Sequence, residues 1–419
     1  MTATDPLRAV EAVWRIESAR LVARLARLVR DVGLAEELAQ DALVVALEQW
    51  PRDGVPDDPG PWLLATAKHR AIDVLRRQRR YAAKLDLLGR DVEIRQEHAE
   101  AELDDALDDH IGDDLLRLIF TAAHPVLSAE AKAALTLRLL GGLTTPEIAR
   151  AFLIPESTAA QRIVRAKRTL ADAGVRFEMP TRAELADRLS SVLEVLYLIF
   201  NEGYSATGGD DWARPELCQE ALRLGRTLAT LLPRAAEVHG LVALMEIQAS
   251  RLPARVDAEG QPVLLLDQDR SRWDRLLVRR GLAALEIAGS LGGGPYTVQA
   301  EIAACHARGH RAEDTDWSRI AALYEVLAHI QPSPVVLLNR AVAVGMTDHV
   351  RGLALVDALA SERALRAYPL LPAVRGDLLA KLGRTEEARA EFTRAASLTR
   401  NEAERTLFLK RANRSGSTT

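Results

Sequence analysis

Apolar residues three and four apart run through almost the whole chain, a period that leaves helices as the regular structure able to bury them. Between Val10 and Val32 they fall at Val10, Val13, Trp14, Leu21, Leu25 and Leu28, with Gly33 placed to end that helix. A second helix follows, with Leu34, Leu38, Ala42 and Val45 as its buried stripe and Glu36, Glu37, Gln40 and Asp41 on the opposite side; Trp50-Pro51 marks its end. Aromatic residues make up only 4% of the chain and β-branched runs are scarce, so an all-α fold is predicted. At 419 residues the chain exceeds one hydrophobic core and should divide into several domains.

The formal charge of -4 hides a local asymmetry. After a loop rich in Pro, Asp and Gly from Arg52 to Gly60, Pro61 enters the first turn of a third helix. That helix carries Lys68, Arg70, Arg76, Arg77, Arg79 and Arg80, with Asp73 the sole acid between them, and so a strong positive field. From Asp86 to Asp114 the sign reverses, and this acidic stretch reads as a linker; a merely solvated spacer has the same composition.

Helices resume from Leu115 to Leu170. Ser128 and Glu130 start one that runs to Leu140, where Gly141-Gly142 stops it. Thr145 as N-cap and Pro146 open a short helix to Phe152, Leu153-Ile154 turns, and Pro155-Glu156 opens the next helix to about Ala171. So tight a turn predicts a helix-turn-helix. In its second helix Thr158, Gln161, Arg162 and Arg165 share one face while Ala159, Ile163 and Ala166 pack inward. Arg and Gln suit bidentate bonds to base edges, and Lys167 and Arg168 suit phosphates. An amphipathic hairpin with a basic face has the same pattern.

No catalytic or metal chemistry is expected. Cys218 and Cys305 are isolated, as suits a reducing cytoplasm, and Cys305-His306 point apart on a helix. No GxSxG, HExxH or zinc spacing occurs, and Gly292-Gly293-Gly294 lacks the Lys and Ser/Thr of a phosphate-binding loop and reads as a linker. No cofactor, no signal region and no membrane span are expected.

Two pairs of segments together resemble a known family. Ala35 to Asp41 (AEELAQD) and Trp62 to Arg77 (WLLATAKHRAIDVLRR) closely resemble region 2 of extracytoplasmic-function sigma factors of bacterial RNA polymerase. Leu143 to Ala149 (LTTPEIA) and Glu156 to Lys167 (ESTAAQRIVRAK) resemble region 4, in the family's order. The resemblance covers about residues 8 to 172. It implies a core-polymerase-docking stretch at Leu38, Gln40 and Asp41, and a loop over residues 52–60 that captures a flipped base of the minus-10 element. It also implies minus-10 contacts from Trp62, Lys68, His69, Arg70, Asp73, Arg76 and Arg77, and minus-35 contacts from Glu156, Ser157, Thr158, Gln161, Arg162, Arg165 and Lys167. The acidic linker would occupy the basic polymerase cleft, its carboxylates standing in for phosphates. Two departures from the family pattern stand out. His69 replaces a frequent Asn, and Leu153 replaces a turn Gly, implying a turn that does not rely on the freedom of Gly at positive φ.

Beyond Phe177 the chain looks like the subgroup of these factors that bears a C-terminal extension of tetratricopeptide (TPR) type, with Leu196 to Ser205 (LYLIFNEGYS) as its recognisable segment. Leu371, Leu378, Leu382-Gly383, Ala388, Phe392 and Ala395 form the clearest repeat, Ala304, Trp317, Leu323 and Tyr324 a weaker one, and Asp187 to Gly289 fits the repeat poorly. The domains read as 5–82 (region 2), 83–113 (linker), 114–176 (region 4), 177–297 (helical extension) and 298–412 (TPR-like repeats). Asn201 to Ser205, near Gly208-Gly209, is expected as a loop touching the sigma core or as a plain interhelical turn. The partners implied are core RNA polymerase, promoter DNA, and a protein partner or intramolecular contact for the extension. A helix-turn-helix regulator that binds DNA without polymerase, and a TPR scaffold, remain the alternatives.

Overall fold

A computed structural model of the chain describes residues 6–85, 111–204, 213–258, 262–399 and 401–415. Among them regular structure is helical: eighteen α-helices, four short 3-10 turns and one isolated bridge between Val256 and Pro262. This is the all-α fold that the periodicity predicts. The acidic run from Asp86 through residue 110, and Ser205 with Gly208-Gly209, lie outside the described residues. The chain forms two compact units, Met1–Leu196 and Tyr197–Thr419.

In the first unit α1 (Pro6–Val29) packs on α2 (Val32–Asp53) and α3 (Pro59–Leu85). Gly33 does not end the first helix. Arg30, at φ 56°, reverses the chain, and the Asp31 carboxylate caps α2 by accepting from the Leu34 amide at 2.9 Å, so Gly33 lies in the first turn of α2. Nor does Trp50-Pro51 close α2, which runs on to Asp53 with Gly54 as its cap. The buried stripe is mostly small: Ala35, Ala39, Ala42 and Ala46 are fully buried with Leu38 and Trp50, whereas Leu34 and Val45 are half-buried. Alanines let the helix axes approach closely, and that pulls Glu36 inside as well, at 5% exposure.

The chain returns as α4 (Ile111–Ala122), which packs on α1, followed by α5 (Ala129–Leu139), α6 (Thr145–Ala151) and α7 (Glu156–Asp172). Asp114, expected at the edge of a solvated linker, is 1% exposed in the first turn of α4, where Arg117 (2.6 Å) and Arg27 of α1 (3.4 Å) neutralise it. The turn after α5 holds Gly142 at φ +65°, and a Cβ there would stand 2.7 Å from Oγ of the buried Ser18. Thr144, not Thr145, caps α6, through a reciprocal pair of bonds with Glu147.

Helix α8 (Leu185–Tyr204) begins in the first unit and ends in the second. Its Ser191 hydroxyl donates to the Ala123 carbonyl (2.7 Å) and accepts from Lys132 Nζ (2.7 Å), and Arg188 reaches the Phe120 carbonyl (3.0 Å). The first unit thus extends past the boundary at residue 176. Asn201 to Tyr204 are helical rather than a loop.

The second unit continues with α9 (Pro215–Leu231), α10 (Ala236–Ala249), α11 (Arg275–Ser290), α12 (Pro295–Arg308), α13 (Trp317–Ile330), α14 (Pro334–Gly345), α15 (His349–Ala358), α16 (Leu370–Lys381), α17 (Thr385–Leu398) and α18 (Glu402–Ser415). Helices here pack chiefly on neighbours in sequence, the pattern of a stacked array. Of the residues in the clearest repeat, Leu371, Leu378, Ala388, Phe392 and Ala395 are buried and Leu382 is half-buried. At the crossing of α14 and α15 a Cβ on Gly352 would lie 2.5 Å from Gly345 Cα. Gly292-Gly293-Gly294 form a tight turn rather than a linker: the first two have positive φ, and Glu237 accepts from the amides of Tyr296 (2.8 Å) and Thr297 (3.2 Å).

Burial, with Arg251 and Arg270 beside it, pushes the His306 imidazole down to about 3. The unfolded chain, with an ordinary histidine value near 6.5, therefore takes up a proton below pH 6.5 that the fold refuses, and stability falls as pH drops from there toward 3. Urea unfolding should show the midpoint falling between pH 7 and 5, with a shallower fall in His306→Gln. An unchanged slope in that variant would contradict the assignment.

Candidate nucleic-acid interface

Helix α3 is held by Leu63, Ala67 and Ala71, all within 1% of complete burial. Trp62, half-buried at its start, packs edge-on against Trp50 of α2, with ring centroids 5.2 Å apart. This anchoring turns His69, Asp73, Arg76 and Arg77 to solvent, with Lys68 and Arg70 half-buried beside them. Arg70 forms a 2.8 Å ion pair with Asp41 of α2, so a residue expected to face polymerase and one expected to face DNA meet in the structure. Both are about half exposed, which limits the pair to roughly 1 kcal/mol or less. Gln40 donates to Glu36 at 2.9 Å. Leu38, read both in the buried stripe and in the docking stretch, is 3% exposed and belongs to the core; Asp41, with half-buried Gln40, is what that stretch presents.

The helix-turn-helix is built from α6 and α7. Ile148 and Ala149 of α6, and Ala159, Ile163, Ala166 and Leu170 of α7, are buried, the three α7 positions read as inward among them. The opposite side of α7 exposes Glu156, Ser157, Gln161, Arg165 and Arg168, with Thr158 and Arg162 half-buried at its margins. The turn between the helices does without glycine but not without positive φ. Leu153 adopts φ 49°, so the turn uses the left-handed region after all, with a leucine bearing the strain that glycine would avoid.

Lys167 is turned away from that exposed row. Its ammonium forms a close ion pair with Glu36 of α2, and Arg138 of α5 donates to the same carboxylate at 2.6 Å. Arg138 also reaches the Leu143 carbonyl at 3.1 Å, just ahead of α6. One buried acid therefore joins α2, α5 and α7. A stripe drawn through the large apolar residues of α2 missed Glu36; the alanine periodicity at 35, 39, 42 and 46 is the signal that places it inside. A cleft of about 950 Å³ opens nearby, lined by Arg27, Arg30, Arg117, Lys167 and Arg176 against Asp31 and Glu178.

Comparison with known proteins accounts for this arrangement. Residues 16–81 match Sigma-70 region 2, and residues 117–170 match Sigma-70, region 4. The chain belongs to the sigma-70 family. Region 2 thus spans the basic helix α3 and region 4 the helix-turn-helix, the modules by which a sigma factor binds core RNA polymerase and directs it to promoter DNA. Residues 188–289 match a family of unknown function (DUF6596), the stretch that fits the repeat pattern poorly. An uncharacterized protein of Rhizobium meliloti (strain 1021), R00370, is 46% identical over 385 residues, covering 91% of this chain and 89% of that protein. No solved structure matches the chain. Among the described residues, no cluster of three His, Cys, Asp or Glu side chains is placed to hold a metal ion, and no helix is long and apolar enough to cross a membrane.

Two substitutions test this geometry in the sigma factor. Glu36→Ala strands the Arg138 and Lys167 charges near the interior and should cost about 3 kcal/mol in urea unfolding of the first unit; a loss below about 1 kcal/mol would show the carboxylate to be dispensable. At Leu153, glycine relieves the left-handed strain and valine worsens it. Stability should rank Gly at or above Leu and Val lowest by about 1 to 2 kcal/mol, and valine equal to glycine would contradict the assigned conformation.

Proposed function

We propose that this sigma factor is of the compact extracytoplasmic-function type, acts in the cytoplasm, and carries a TPR-like extension that regulates it or binds a partner. The supporting observation is the exposed row Ser157, Gln161 and Arg165 on α7, backed by the buried Ala159, Ile163 and Ala166, within the same unit as the basic surface of α3. In this reading α7 enters the major groove at the minus-35 element. Gln161 and Arg165 read base edges, with Glu156, Ser157, Thr158 and Arg162 around them. Lys167 serves as a phosphate contact once it leaves Glu36.

The minus-10 work falls to α3 and the turn before it. His69, Arg76 and Arg77 follow the strand backbone, Lys68 and Arg70 stand beside it, and Trp62 supports the loop that receives an extruded base. Asp73 shapes the polar side of the same surface. Gln40 and Asp41 form the polymerase-facing patch on α2, and the acidic stretch at 83–113 runs along the basic channel of the polymerase. A regulator that binds operators alone has no use for a strand-opening helix, which favours the sigma reading over that alternative.

Run-off transcription with core RNA polymerase tests the assignment. Full-length protein should direct initiation at a defined start, and Arg165→Ala should lower the yield about tenfold, one bidentate base contact being worth ~1–3 kcal/mol. No initiation from any promoter library, or full activity in Arg165→Ala, would overturn it.

A further inference from the structure

The second unit contains a cavity of about 560 Å³ that the promoter chemistry does not use. Its wall comes from α8, α10, α12, α13 and α14, and carries Tyr197, Tyr324, Gln248, Gln299 and Asn339 among apolar neighbours. Such a lining offers flat faces for stacking and neutral amides for hydrogen bonds, in a volume within the usual range for small-molecule sites. At its edge stands Arg251, only 8% exposed.

Among the described residues Arg251 has no counter-charge. Its Nε is buried without a hydrogen-bond partner, and among the described residues no carboxylate lies within ion-pair reach of its guanidinium. Three other arginines of the unit have polar partners for their terminal nitrogens or Nε. Arg226 pairs with Glu246 at 2.8 Å, Arg214 pairs with Glu202, and Arg270 donates to the His306 and Gly309 carbonyls and to Thr315 Oγ1 at 2.8 to 2.9 Å. Arg251 instead lies against the rings of Tyr204 (5.7 Å) and Trp273 (5.8 Å), contacts that offset only part of the cost of burying a cation. His306, on the same wall, has an unpartnered Nδ1.

We propose that this cavity binds a small organic oxyanion, a carboxylate or phosphate carried on a planar body, with Arg251 taking the charge and the tyrosines and amides holding the body. The oxyanion supplies the partner that no described residue gives Arg251, and His306 Nδ1 supplies a further hydrogen bond. This deepens the reading of the extension as the regulated part of the molecule and is independent of promoter recognition.

Binding of phenyl phosphate, benzoate, inorganic phosphate and benzyl alcohol to the full-length protein, followed by calorimetry and by tryptophan fluorescence, tests the proposal. Phenyl phosphate or benzoate should bind saturably, the stronger of the two identifying the oxyanion. Benzyl alcohol and inorganic phosphate should bind at least tenfold more weakly. Arg251→Met should lower the affinity at least tenfold; should that variant not fold, Gln299→Leu and Asn339→Leu on the wall must each weaken binding instead. Absence of saturable binding of either organic anion, inorganic phosphate binding as tightly as phenyl phosphate, or affinity unmoved by the variants would overturn the proposal. The readout is binding, so its failure leaves the promoter-recognition reading standing.

Discussion

A single buried carboxylate organises the first unit. Glu36, in the second turn of α2, holds Arg138 of α5 and Lys167 of α7 together, and no other described residue links those three helices by ion pairs. Two lesser contacts repeat the theme: Asp114 returns α4 to Arg27 on α1, and Gly142 admits Ser18 at a distance no side chain would allow. Buried ion pairs contribute modestly to net stability, because desolvation offsets their attraction, but deleting one partner is costly. Their value is in specifying one arrangement, here of the basic helix α3 and the exposed face of α7 within the same compact unit.

That arrangement bears on function through Lys167. Under the proposed reading, a lysine that met phosphate in place of Glu36 would exchange one anionic partner for another, leaving little charge unpaired at either end. The exposed row on α7 needs no such exchange, since Gln161 and Arg165 already face solvent. In that reading, base reading and backbone gripping would be separable on a single helix.

The periodic apolar spacing made the helical fold legible, and the order of motifs made the two sigma modules legible, because both depend on local patterns of a few residues. The inward face of α7 was visible for the same reason: Ala159, Ile163 and Ala166 repeat at helical spacing and are buried. What escaped notice depends on contacts distant in sequence. Glu36 and Asp114 look like ordinary surface acids until Arg138, Lys167 and Arg27 are brought to them. Leu38, placed in the buried stripe by its spacing and in the docking stretch by the family resemblance, follows the spacing. The cap at Thr144 rather than Thr145, and the left-handed Leu153, show the other limit: adjacent residues of like chemistry compete for one turn, and packing of α6 against α7 overrides the backbone preference of leucine.

The account stands on two helical modules that need the polymerase to act on a promoter. Fluorescence anisotropy of labelled promoter DNA, titrated with the protein in the presence and absence of core RNA polymerase, measures that dependence most directly. Tight, sequence-selective binding only when the core enzyme is present is the predicted result; equally tight and selective binding by the protein alone would contradict it.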